Sequence, residues 1–200
     1  QGNRTTPPTS WAMTVKQWHR FMAACRACLK YAEVKRQNGK VTLYDLNEHF
    51  VCPWTRRTGN SVALLMNPER TLHAKLMISH AWGEDVDECV VAFRSYCLQE
   101  DVEDSTPCWF CIYSQYQPGN EEGDCGPTVQ EQLAKDPFQA VISVTPDMVV
   151  ISTSAAELYR RKWCVLEIAC ASERRVCTKA ALSWLYAAAT WKNIADQKIP

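Results

Sequence analysis

The stretch "RRKWCVLEIACA", Arg160–Ala171, decides the reading of this chain. From Trp163 onward it carries one charged residue, Glu167. The pattern predicts a helix over residues 163–175, and the 100° helical step sets Glu167 beside Trp163, Cys164, Cys170 and Ala171. Val165, Leu166, Ile168 and Ala169 cover the other faces, so burial nearly all round is expected. An unpaired carboxylate in such a place is costly and tends to hold its proton. Two explanations stay open. Arg174, further along the same helix, could satisfy Glu167, or the carboxylate could have a catalytic or ligand-holding task.

What surrounds this helix sets its place. Residues 73–79 ("HAKLMIS"), 107–114 ("PCWFCIYS") and 147–153 ("DMVVIST") read as short buried strands, and residues 180–187 ("AALSWLYA") as a fourth. A helix is expected over residues 87–100, and helical pieces over 128–136 and 137–145. Strands that alternate with helices imply a parallel sheet with helices on both faces. Ligands of such sheets bind beyond the carboxyl ends of the strands. Ser79, the loop 115–128 and the segment 152–163 all lie at such ends.

The first third has another character. Residues 1–12 are polar, contain Pro7-Pro8, and are expected to form a disordered linker. Thr14 can cap a helix whose apolar stripe runs through Trp18, Phe21, Met22, Cys25, Leu29 and Ala32 and ends at Asn38-Gly39. "KVTLYDLNEHFVCPW" reads as a strand or turn leading into a helical piece stopped by Pro53, and "SVALLMN" as a short helix ended by Pro68. Residues 13–72 are therefore expected to be a helical N-terminal extension, and residues 73–200 the α/β domain.

Composition narrows the function classes. The formal net charge is zero, which argues against nucleic acid as a partner. The apolar runs fall short of the ~18–20 residues that cross a bilayer, and the start has no apolar core of a signal peptide. The chain opens on Gln1, as a processed product or excised fragment would. Eleven cysteines sit largely inside apolar periodic segments and are read as reduced and buried, in a cytoplasmic setting. Two Cys-x-x-Cys pairs, Cys25–Cys28 and Cys108–Cys111, are read as mid-helix and mid-strand, without zinc-knuckle turns, so no metal site is expected.

Two of these segments together resemble Toll/interleukin receptor (TIR) domains. "VVIST…LYRRKWCVLEI" is similar to the third strand and following helix of that family, with its Trp-Cys-x-x-Glu signature. "LMISHAWGEDVDECVVAF" is similar to the first strand and loop; plant members read Ser-Phe-Arg-Gly-Glu-Asp there, matched by Ser79 and Gly83-Glu84-Asp85 with one extra residue between. The resemblance covers residues 73–190, and the leader 13–72 resembles that of an algal-type group carrying Ser-His-x-Trp-Gly-Glu. It implies a flavodoxin-like parallel sheet of four to five strands with helices on both faces. The tail is short for a fifth strand and last helix, so the sheet is expected to have four strands or to borrow one from the N-terminal part.

In enzymatic TIR domains the signature glutamate cleaves NAD⁺. The resemblance thus implies Glu167 as catalytic residue, NAD⁺ as substrate rather than resident cofactor, and the loop 115–128 as a mobile cover. Ser79, His80, Trp82, Asp85 and Trp163 are the expected binding residues, Trp82 or Trp163 stacking on a ligand ring. His80 could instead be structural, and Glu84 and Asp85 no more than a helix cap. The first expected function is an NAD⁺ glycohydrolase or cyclase. The alternatives are a non-catalytic module that works by self-association and a binder of a nucleotide-derived signal.

Overall fold

The computed structural model describes residues 2–118, 124–155 and 162–196. Five strands, β1 (Met13–Thr14), β2 (Leu76–Ser79), β3 (Pro107–Phe110), β4 (Asp147–Ser152) and β5 (Cys177–Leu182), form one sheet in the order β1-β3-β2-β4-β5. β3, β2, β4 and β5 are parallel, and β1 pairs antiparallel with β3. The longer helices are α1 (Val15–Ala27), α2 (Leu29–Asn38), α3 (Val86–Gln99), α4 (Lys162–Glu173) and α5 (Trp184–Ala195).

Alternation along the strands makes two cores. Leu76, Ile78, Cys108, Phe110, Val149 and Ile151 face one side, where residues of α1, α2 and α3 cover them. Met77, Trp109, Met148 and Val150 face the other side, against the helix Pro137–Ile142, Leu64, and Cys164 and Ala171 of α4. A period of two sends neighbouring strand residues to opposite faces, so each apolar strand feeds both cores. The outcome is an α/β fold whose parallel strands all end at one edge.

The N-terminal part is not a separate extension. β1 belongs to the sheet, and α1 and α2 close one of its faces. Residues 2–12 are packed rather than a disordered linker: Asn3, Trp11 and Ala12 are wholly buried. The Asn3 side chain donates to Ser114 O at 2.8 Å and accepts from Ser61 N at 2.6 Å, which satisfies two buried backbone groups. The expectation of disorder followed polarity, but Asn3 and Trp11, with bonds to Gly59, Ala74 and Lys135, dock the segment.

Three expected boundaries move. The helix from Thr14 has its capping box, Gln17 N to Thr14 Oγ1 at 3.1 Å and Thr14 N to Gln17 Oε1 at 2.8 Å. It breaks at Cys28, whose extended ψ of 140° resets the helical phase; Leu29 and Ala32 are exposed, and Tyr31 and Val34 are buried instead. The strand expected over 107–114 stops at Phe110 and turns into the one-turn helix Cys111–Ser114. The strand expected over 180–187 runs from Cys177 to Leu182, and Ser183 caps α5, its hydroxyl accepting from Tyr186 N at 3.1 Å. No helix among the described residues is long and apolar enough to cross a membrane.

Candidate functional site

β2 delivers Ser79 to the carboxyl edge of the sheet, and α4 returns from the β4 side to place Glu167 over it. The Ser79 hydroxyl donates to Glu167 Oε2 at 2.5 Å. Glu167 shares the buried stripe of α4 with Cys164 and Ala171, at i, i+3 and i+7. It retains 6% exposure, and burial raises its pKa to about 7 against the opposing pull of the Ser79 hydrogen bond. Arg174 does not answer this charge: among the described residues Glu167 makes no ion pair. A buried carboxyl with, among the described residues, one hydroxyl donor and no ion-pair partner can exchange its proton near neutral pH.

The next residues of β2 and β3 build the surround. His80 is buried, with Nε2 3.5 Å from Cys111 Sγ, and the Cys164 thiol donates to His80 O at 3.3 Å. Trp82, half-buried, donates from Nε1 to the same Cys111 sulfur at 3.4 Å. Burial, and after it the nearby Glu167 carboxylate, push the Cys111 thiol up to about 12, which disfavours the nucleophilic thiolate form. Tyr44 packs on Trp82, ring centroids 5.3 Å apart, and Tyr44 N donates to Trp82 O. The N-terminal part thereby holds the loop after β2.

Two expected binding residues stand elsewhere. Asp85 caps α3, accepting from Asp87 N at 2.8 Å and Glu88 N at 3.3 Å. Trp163 is 51% exposed and stacks on Phe138, centroids 5.6 Å apart. It leaves the cluster because only one stripe of α4 is buried, and Val165 and Leu166 face outward with it. Burial nearly all round is thus replaced by burial of one stripe, with an apolar outer face left exposed.

Glu84, beside Asp85, is the second buried carboxyl of this region. Burial raises its pKa to about 8, against the hydrogen bond that the Cys89 thiol donates to Oε2 at 3.0 Å. The sequence marks Cys111 only as one end of the Cys108–Cys111 pair, not as part of the strand-end cluster, and does not mark Tyr44 at all. The position of Cys111 just past the "CWF" strand was the available signal.

The loop 115–128 falls partly at residues 119–123, outside the described residues. Its described parts are anchored. Gln132 Oε1 accepts from Tyr116 N and Gln132 Nε2 donates to Tyr116 O, both at 2.8 Å, and the Tyr116 hydroxyl donates to Asp124. A Cβ on Gly126 would stand 2.0 Å from the Tyr116 ring, so glycine is required there.

All eleven cysteines are free. The Cys-x-x-Cys thiols do not converge: Cys25 and Cys108 lie in the core on one side of the sheet, and Cys111 in the core on the other. Among the described residues no three His, Cys, Asp or Glu side chains are grouped to hold a metal. Compared with known proteins, the chain matches no family model, no curated protein and no solved structure, so a functional reading rests on the chemistry of the strand-end cluster.

Proposed function

We propose that this chain is a TIR-like protein of flavodoxin-like fold that cleaves the nicotinamide–ribose bond of NAD⁺, with Glu167 as the catalytic carboxylate. The order of the parallel strands, second-first-third-fourth, supports the fold reading. The observation that carries the activity is the Ser79–Glu167 pair, 2.5 Å apart at the carboxyl edge of a parallel sheet. Breaking the N-ribosidic bond builds oxocarbenium-like charge on the ribose. A carboxylate beside the sugar stabilises that charge. Nicotinamide leaves as a neutral molecule, so one carboxylate suffices where most glycosidases use two.

Each neighbour has a part in this reading. Ser79 orients Glu167 and favours its ionised form. His80 and Trp82 form the wall, and Trp82, with Tyr44 behind it, is the aromatic surface offered to a ring. Trp163 is released from that role by its place against Phe138. The cationic nicotinamide ring itself favours the Glu167 carboxylate over the acid. The test is incubation with NAD⁺ at high protein concentration, following nicotinamide release, beside Glu167→Ala. Release that depends on Glu167 supports the proposal; equal release from the variant, or none from the wild type, overturns it.

A self-association module is the second reading, favoured by the exposed Trp163, Leu166, Trp184 and Trp191 on α4 and α5. Concentration-dependent assembly that survives Glu167→Ala, without nicotinamide release, is the result that would select it.

A further inference from the structure

On the face of the sheet opposite α4, α1 and α3 leave a groove of about 590 Å³ between them. It begins near Asp104, where Val15 N and Lys16 N donate to the backbone ahead of β3, away from the strand ends that carry Glu167. Its floor is apolar, with Val15, Met22 and Val90 buried, and Leu98 stands on the rim with 77% of its surface exposed. Its polar edge is cationic. Arg26 is tied to Asp87 at 2.9 Å, but Lys16, Arg20 and Arg94 form no ion pair among the described residues. Among the described residues Asp104 is the only carboxylate lining the groove. The chain as a whole has no net charge, so this is a local excess.

We infer that the groove binds a small amphipathic anion, a single carboxylate or phosphate head on a hydrocarbon tail. The size is that of small-molecule sites, which are mostly apolar with a few polar groups that fix the ligand's orientation. Ala23, Val90, Leu98 and Val102 would take the tail, and Arg20 and Arg94 the head; guanidinium forks match such oxyanions in a bidentate way. A polyanion has no use for the apolar floor, and a neutral hydrocarbon none for the cations. The concave shape between two helices favours a monomeric amphiphile over a flat lipid surface.

The test is calorimetric titration of the full chain with dodecanoate below its micelle concentration, with 1-dodecanol as the neutral counterpart. One-to-one saturable binding is expected, weakened at least about tenfold, near 1.4 kcal/mol, in the double variant Arg20→Gln/Arg94→Gln and for 1-dodecanol. Both arginines are exposed, so the variant keeps the fold, which circular dichroism checks. Leu98→Glu, which places a carboxylate on the rim, is expected to weaken binding similarly. Absence of saturable binding, or equal affinity in the double variant, overturns the inference. Sedimentation with phosphatidylserine vesicles without binding of monomeric dodecanoate overturns it too, and assigns the cations to a membrane surface.

Discussion

Two of the glutamates at the carboxyl edge of the sheet, Glu167 from α4 over β2 and Glu88 from α3 toward β4 and β5, end in opposite states. Glu167 is buried, accepts one described hydrogen bond, and has its pKa raised to about 7. Glu88 accepts from Ser154 N at 2.9 Å and from the hydroxyls of Ser154 and Ser183. Burial is the largest single influence and opposes its ionisation, but the Ser154 and Ser183 hydrogen bonds together outweigh it and hold its carboxyl below the usual range. The number of donors and the access of water decide the difference. Glu88 is a tie that joins the ends of β4 and β5; Glu167 is a group left able to trade its proton.

The contrast breaks most easily through pH. Glu167 has a folded pKa of about 7 against an ordinary 4.5, so the folded state holds its proton more tightly. Its stabilising contribution is full below pH 4.5 and is lost as pH rises through 7. Glu167→Gln, neutral throughout, should gain on the wild type between pH 5 and 8, by about 3 kcal/mol in denaturant melts. A gap that does not grow with pH would show that Glu167 titrates normally.

Glu88 runs the other way. Its folded pKa is depressed, so its contribution is present above the unfolded pKa and is lost as pH falls through the folded one. Glu88→Gln should cost about 1 kcal/mol at neutral pH, and the cost should shrink in acid. A cost that persists unchanged at pH 3 would mean that packing rather than charge joins these strands.

Ser79→Ala sharpens the comparison with a smaller effect. Loss of the donor removes the interaction that lowers the Glu167 pKa, so the acid limb of nicotinamide release, where the working carboxylate is protonated, should move to higher pH. The stability loss should be within about 1 kcal/mol. A pH profile that stays in place would separate Ser79 from Glu167.

The site was more legible in the sequence than its supports. Ser79 and Ser152 each end an apolar run of four to six residues, as parallel strands buried on both faces require, and the helix that carries Glu167 follows the second run. That logic brought Ser79 and Glu167 together before any contact was known. It failed at β5, an edge strand with little buried surface, whose apolar signal came instead from the helix beginning after Ser183. It failed at Cys28 too, where no proline or glycine announces the break and the spacing of Leu29 and Ala32 continues the stripe. β1 has two residues, below any periodicity. Trp163 was misplaced because residue type alone does not say which stripe of an apolar helix faces the sheet.

The most direct measurement is nicotinamide release from NAD⁺ by Glu167→Gln and Glu88→Gln side by side with the wild type, at one high protein concentration. Loss of about 100-fold or more in Glu167→Gln is expected, the scale of removing a group that stabilises transition-state charge. Glu88→Gln should stay within about twofold of the wild type, as a positioning tie away from the reacting atoms would. Equal rates in the two variants, or no release by the wild type, would contradict the assignment of Glu167 as the working carboxylate.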